Sequence, residues 1–295
     1  MSAQILDGRR ISTEIREELR QRSAKLRERE VFPGIAGILV GDDPSSASYV
    51  KLKEKASAEI GIRSEMVTLP RDVTEHELLE RIELLNSDAR IHGIFVQLPL
   101  PHHLDENKVL SSVHPDKDVD GFHPVNVGRA WLGQQAFLPA TPCGIYEMLV
   151  RSGYDKLKGK SVVIVNVDNL VGKPLASMLV QERVGANVLI CHPSTPGLSA
   201  YTCWADILVV AVNKPRFITG DMVKEGVIAI DFGSNYIDDP ASKTGKRLIG
   251  DIDFDAVKEK AEAISPVPGG VGPMTVTMLL VNTVTAAERL MSRTS

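Results

Sequence analysis

Between Arg9 and Glu30 the chain is mostly charged, yet Ile11, Ile15, Leu19 and Leu26 recur at helical spacing. This predicts a surface helix with one apolar stripe. Gly34 to Val40 is an unbroken apolar run of strand length, the mark of a strand covered on both faces. Ser46 to Ile62 reads as a helix, with turn and cap chemistry in Asp43-Pro44-Ser45-Ser46 and a stop at Gly61. A strand over Arg63 to Leu69 follows, then a helix from Thr74 to Asn86, where Thr74 and Glu77 have capping-box spacing. Gly93 to Gln97 is a third strand, closed by Leu98-Pro99-Leu100-Pro101. Strands alternating with helices imply parallel βαβ units, whose ligands sit beyond the carboxyl ends of the strands. Gln97 falls at such an end, where local backbone bonding and ligand contact are both open readings.

A helix from Thr141 to Ser152 is followed by Gly153 and the charged run Asp155 to Lys160, a natural change of domain. The apolar strands at 161–165, 187–191, 207–212 and 227–230, with a helix from Gly172 to about Glu182, read as a Rossmann-like nucleotide-binding domain. The loop Asn166 to Val171 does not match the G-x-G-x-x-G fingerprint, so the pattern reaches only a parallel α/β domain that binds a ligand. Pro266 to Thr275 is dense in Gly and Pro, which shapes a stiff loop that lets backbone approach a ligand. Thr275 is placed to cap a last helix over Val276 to Met291.

Composition narrows the function classes. The 295 residues are 43% hydrophobic and 24% charged, with a net charge of −4. That describes a globular protein without a basic footprint for nucleic acid. No apolar run reaches membrane-spanning length, and the first residues enter an amphipathic pattern rather than an apolar leader. Cys143, Cys191 and Cys203 are odd in number and lack metal spacing, so a reducing, cytoplasmic setting and no bound metal are expected. The neighbours His102 and His103 read as a loop pair.

Two constellations carry candidate chemistry. Tyr49 and Lys53, four apart, share a helix face, where a desolvated amine beside a phenol makes an acid/base pair. The alternative is a solvated lysine face with Lys51 and Lys55, although those two lie about 160° around the helix from Lys53. In Lys117-Asp118-Val119-Asp120-Gly121 the two carboxylates point to opposite sides of an extended segment, so one faces a pocket while the other caps backbone.

Six segments, YVKLKEKASAEIGI, GIFVQLPLP, PDKDVDGF, PATPCGI, VGKPLASML and PVPGGVGPMTV, occur in this order across nearly the whole chain. Together they closely resemble the bifunctional methylenetetrahydrofolate dehydrogenase/methenyltetrahydrofolate cyclohydrolase family of the FolD type. The resemblance implies a two-domain α/β architecture. A catalytic folate domain spans residues 1–148, the C-terminal helix 276–295 packs back on it, and a Rossmann-like NAD(P)-binding domain spans 149–275, with a cleft between the two. It implies a homodimer formed through the nucleotide domain, tetrahydrofolate derivatives as ligands, and a place in one-carbon metabolism. By position, Lys53 matches the catalytic lysine, Tyr49 its aromatic partner, Gln97 the glutamine that bonds this lysine and the folate, and Asp120 the aspartate that grips the pterin. Leu98, Pro99, Pro268, Gly269, Gly272 and Pro273 match the substrate-binding loops. Asn166, Val167, Asp168, Val171, Gly172, His192, Pro193, Ser234 and Thr275 match the nucleotide site.

The chain departs from the family where the cofactor's 2′-phosphate would bind. The family's Gly-Arg-Ser-x-x-Val-Gly is here Asn166 to Gly172, with Val167 in place of the arginine. Cys-His-Ser followed by a cation is here Cys191-His192-Pro193-Ser194. Asp168 adds a negative charge, and an aspartate in this region suits a ribose 2′-hydroxyl. Three readings follow: use of NAD, use of NADP through other cations such as Lys173, His192 or Lys214, or a cyclohydrolase with an impaired dehydrogenase. A folate-binding protein without turnover would lack the catalytic side chains, yet Lys53, Gln97 and Asp120 are all here. A Rossmann dehydrogenase for another substrate is disfavoured by the GGVGPMT loop and the DVDG turn.

Overall fold

The structure, a computed structural model, describes residues 3–242 and 245–294. In chain order the elements are β1 (Gln4–Ile5), α1 (Gly8–Arg27), β2 (Gly34–Val40), α2 (Pro44–Glu59), β3 (Arg63–Leu69), α3 (Glu75–Ser87), β4 (Gly93–Val96), α4 (Glu106–Ser112), α5 (Pro124–Trp131) and α6 (Ala140–Arg151). They continue as β5 (Ser161–Val165), α7 (Gly172–Leu179), β6 (Asn187–Cys191), α8 (Leu198–Thr202), β7 (Ile207–Val210), β8 (Ile228–Asp231), β9 (Asn235–Asp238), β10 (Lys246–Ile249), α9 (Phe254–Lys258), β11 (Ala263–Ile264) and α10 (Val271–Thr294). The chain divides into two compact units, one of residues 13–140 with 276–295, the other of residues 1–12 with 141–275.

In the first unit β2 is the centre of a parallel sheet ordered β3-β2-β4. All seven residues of β2 are buried, as its unbroken apolar run predicts. On one face Ala36, Ile38 and Val40 join Ile94 and Val96 in a cluster with Leu78, Ile82 and Leu85 of α3. The other face is built around Gly37, where a Cβ would lie 2.3 Å from the Phe95 ring, so only glycine leaves that ring its place. Helix α2 is capped by Asp43, whose carboxylate accepts from the Ser46 N–H, and α3 by the Thr74/Glu77 box. On α10, Asn282 donates to the carbonyls of Val119 (2.8 Å) and Leu138 (3.0 Å), and Glu288 receives a forked pair of bonds from Arg22 of α1.

In the second unit six parallel strands run β1-β11-β8-β7-β5-β6. Its core includes Val163, Val165, Leu208, Val210, Ala229 and Ile264. From β5 the chain passes to β6 on one side and then to β7 on the other. This reversal makes the carboxyl ends of β5 and β7 the switch point where such sheets bind ligands. Strands β9 and β10 form a separate antiparallel ribbon.

Three features differ from the reading of the sequence. Residues 4–12 fold with the nucleotide-type sheet, because β1 pairs with β11 and the Arg9 N–H donates to the Gly269 carbonyl (3.2 Å). The units also divide at 140/141 rather than at the charged run, and α6 packs Gly144 against Met274. Finally, α10 begins at Val271, five residues early. Its first turn accepts Pro273, since the first N–H groups of a helix need no intrahelical partner. Thr275 is therefore inside the helix rather than capping it, and its hydroxyl bonds that of Thr141 (3.1 Å).

Candidate active site

Helix α2 lies over the Gly37 face of the first unit's sheet and points Lys53 inward. Lys51 and Lys55 are exposed, whereas Lys53 keeps 8% of its surface. Period-two alternation on β4 sends Phe95 and Gln97 to this same face. Both meet the amine: the Lys53 Nζ donates to the Gln97 Oε1 at 3.3 Å and stands 3.9 Å from the centroid of the Phe95 ring. Gln97 is held in turn, its N–H donating to Ile38 (2.8 Å) and its Nε2 to the carbonyl of Leu98 (2.9 Å). Tyr49, one turn before Lys53, is half-buried, and burial pushes its phenol above the ordinary range.

The turn after β4's neighbouring bridge supplies the acid. Asp118 is the carboxylate that caps backbone: its oxygens accept from the N–H groups of Gly121 (3.0 Å), Phe122 (3.2 Å) and His123 (2.9 Å) and from the Asn126 amide (2.9 Å). Lys117, also buried, ties the turn to the end of α3 by donating to the carbonyls of Leu85 (3.2 Å) and Asp88 (2.8 Å). Gly121 has φ +74°, and a Cβ there would meet backbone of Leu138 at 2.6 Å. The opposite carboxylate, Asp120, is thereby set beside Lys53. Desolvation pushes Asp120 up to about 6; Lys53 opposes this, and Asp118 adds to it. Desolvation also draws Lys53 down from the ordinary lysine range, and the attraction of Asp120 only partly offsets it. Burial thus moves the two ionisations toward each other, the carboxylate upward and the amine downward.

The unit therefore assembles Lys53, Tyr49, Gln97, Asp120, Leu98 and Pro99 from α2, the end of β4 and the 117–121 turn. Phe95 and the two turn-holding residues Lys117 and Asp118 were not singled out as site residues from the sequence. The alternation that puts Gln97 on this face puts Phe95 there too, so the signal existed. Pro268, Gly269, Gly272 and Pro273 belong to the other unit, where Gly269 (φ +113°) and Gly270 lie against α1, a Cβ at Gly8 falling 1.8 Å from the Gly270 carbonyl oxygen.

In that second unit the candidate nucleotide residues other than Thr275 follow the carboxyl ends of β5, β6 and β8. Loop 166–172 follows β5 at the switch point and is knit by its own side chains. Asp168 accepts from the N–H groups of Leu170 (2.9 Å) and Val171 (2.7 Å) through one oxygen and from the Asn166 amide (2.8 Å) through the other. Asn166 accepts from Asp168 (3.0 Å) and Gly172 (2.8 Å) and donates to the Ala211 carbonyl (2.7 Å) after β7. A Cβ at Gly172 would lie 2.1 Å from the Asn166 carbonyl oxygen, so glycine is required for this closure. Asp168 thus builds the loop through these bonds. Val167 is part-exposed and uncharged. After β6, His192 accepts at Nδ1 from the Ser194 N–H (3.0 Å), and Ser234 is exposed after β8. The switch-point loop, the glycine start of α7 and the exposed cations Lys173 and Lys214 fit a dinucleotide. Among the described residues no group of His, Cys, Asp and Glu is arranged to hold a metal ion, and no helix is long and apolar enough to cross a membrane.

Comparison with known proteins agrees over the whole chain. Residues 6–120 match the catalytic domain of tetrahydrofolate dehydrogenase/cyclohydrolase, and residues 139–291 match its NAD(P)-binding domain. The chain is 54% identical over 293 residues to the bifunctional protein FolD of Dehalococcoides mccartyi, covering 98% of each. The crystal structure of FolD methylenetetrahydrofolate dehydrogenase/cyclohydrolase from Campylobacter jejuni matches with a TM-score of 0.93 at 45% identity, over 98% of this chain and 100% of that one. The Trypanosoma brucei enzyme, complexed with NADP cofactor and inhibitor, matches with a TM-score of 0.93 at 37% identity, over 99% of each. This chain belongs to the tetrahydrofolate dehydrogenase/cyclohydrolase family and carries both its catalytic and its NAD(P)-binding domain.

Proposed function

We propose that the protein oxidises 5,10-methylenetetrahydrofolate to the 5,10-methenyl form with a nicotinamide dinucleotide, and hydrolyses the methenyl form to 10-formyltetrahydrofolate. The observation that carries the reading is the buried Lys53 amine on Gln97, with Asp120 as its neighbouring carboxylate. When bound, the dinucleotide supplies the hydride acceptor. Asp120 accepts paired N–H bonds from the aminopyrimidinone edge of the pterin and orients the folate. Gln97 holds Lys53 and the folate together. In hydrolysis, water adds to the methenyl carbon, the bond from that carbon to N5 breaks, and one net proton is released. Lys53, its ionisation lowered by desolvation, takes a proton from the water and delivers one to the departing N5. A neutral amine also sits beside a cationic methenyl group at less cost than an ammonium would. Tyr49 lines the same helix face and limits water access to the amine. Steady-state assays with each folate test the two activities, and absence of both would overturn the proposal.

The grip of Asp120 on the pterin needs the carboxylate, whose ionisation lies at about 6. Folate binding is therefore full above this pH and is lost as pH falls through it, weakening roughly tenfold per unit below. Asp120→Asn should abolish that dependence while lowering affinity at pH 8. A folate affinity that is flat from pH 5 to 8 in the wild type would remove Asp120 from pterin binding.

For the cofactor, NAD is favoured. Val167 and Pro193 leave the 2′-phosphate without the arginine and serine of the family pattern, and Asp168 adds an anion to the loop. The support is the missing cation, not a ribose contact from Asp168. A second reading, a cyclohydrolase with weakened dehydrogenase, is favoured by one observation: the N–H groups of Leu170, Val171 and Gly172 are already bonded to Asp168 and Asn166. Oxidation of methylenetetrahydrofolate with NAD and NADP side by side separates the readings.

We also infer a homodimer through the nucleotide-binding unit, supported by the exposed apolar side chains Val180, Tyr201 and Trp204 on that unit. Sedimentation equilibrium should give twice the chain mass, and a monomer at micromolar concentration would refute it. The free thiols Cys143, Cys191 and Cys203 suit a cytoplasmic setting, which subcellular fractionation would check.

A further inference from the structure

Nothing in the proposed reaction uses Phe95, yet its ring lies against the reactive amine. Its side chain is 1% exposed, and its ring is seated by Gly37 on β2 and Met66 on β3. The Lys53 Nζ lies 3.9 Å from its centroid, close enough for the negative face of the ring to attract an ammonium strongly. In a buried site this attraction is screened little, so it competes directly with the cost of desolvation. We propose that Phe95 is a positioning residue for Lys53: its ring carries the ammonium form and sets the pH at which the amine becomes free to act as a base. The consequence for turnover rests on the role given above to Lys53.

Three other contacts bear on the same amine. Gln97 is neutral and accepts from Nζ. Asp120, from the 117–121 turn, attracts the ammonium, with the buried Asp118 acting on Asp120 from behind. Tyr49 on the same helix stays protonated across the neutral range. Gly37 and Met66 carry no charge. The ring and Asp120 therefore favour the charged amine, and burial opposes them. Removing the ring tips the balance toward the neutral form.

The test is the titration of Lys53 itself, in the full-length protein, followed through the 13Cε signal of labelled lysine and assigned by its loss in Lys53→Met. Phe95→Leu should lower the ionisation of Lys53 by about one pH unit. Replacing Phe95 with pentafluorophenylalanine keeps the ring's shape and reverses its quadrupole. It should give a shift in the same direction, and it decides the matter if the leucine variant does not fold. The acidic limb of methenyltetrahydrofolate hydrolysis should move down by the same amount. A Lys53 titration unchanged in the pentafluorophenylalanine protein would overturn the proposal whatever the activity does. A shifted titration with an unmoved rate profile would leave Phe95 its role and instead refute Lys53 as the base.

Discussion

Lys53→Met should abolish hydrolysis of methenyltetrahydrofolate while leaving folate bound. Loss of a positioned acid/base group typically costs on the order of 10²–10⁴-fold in rate. Methionine has nearly the length of lysine and suits the buried site, so packing against Phe95 and Gln97 is kept. Removing the charge relieves the desolvation that burial imposes on the amine but leaves Asp120 and Gln97 without their partner, so the two effects oppose each other in the stability of the variant. Asp120 loses its cationic neighbour and should ionise at a higher pH, moving the acidic loss of folate binding upward. Fluorescence or calorimetric titration with folate, beside a stopped-flow hydrolysis assay, reads both. Near-wild-type hydrolysis by this variant would take Lys53 out of the mechanism.

Val167→Arg combined with Pro193→Ser should turn cofactor preference toward NADP. A charge-assisted contact to a phosphate contributes about 1.5–3 kcal/mol, which corresponds to roughly tenfold to over a hundredfold in affinity. The loop geometry places the gain at the lower end. Asp168 holds Leu170 and Val171 and stays in place as an anion in the double variant. Adding Asp168→Ser removes that charge and should enlarge the shift, at the expense of loop rigidity. Dissociation constants for NAD and NADP, measured without folate, give the comparison directly. An unchanged ratio in the double variant would refute the account of the loop.

Much of the fold could be read locally. The buried run of β2 shows as seven apolar residues, and the start of α3 shows as Thr74 and Glu77 at box spacing. The stripe of α1 is visible too, with Ile11, Ile15, Leu19 and Leu26 all buried. What escaped the sequence was non-local. Strand β1 is two residues long and exists because β11, some 260 positions away, offers an edge. No periodicity can be read in two residues. The start of α10 was hidden because three glycines and three prolines argue for a loop, although the first turn of a helix tolerates proline. Asp168 was read as suiting a ribose hydroxyl, and the tertiary structure adds that its carboxylate bonds the loop amides of Leu170 and Val171.

The sequence by itself determined the alternation of strands and helices, the family, and the residue types of the candidate site, because periodicity and motif spacing are properties of neighbours along the chain. It placed Tyr49 and Lys53 on one helix face but left open whether that face was solvated. Only the tertiary structure decided that Lys53 is the buried one of three lysines, that Asp118 builds the turn while Asp120 faces the amine, and that a phenylalanine ring lies under it. Those outcomes depend on strand pairing, which brings β4 and α2 together across some forty residues, and on the loss of water that follows. Desolvation shifts a proton equilibrium only where the whole surroundings of a group are known.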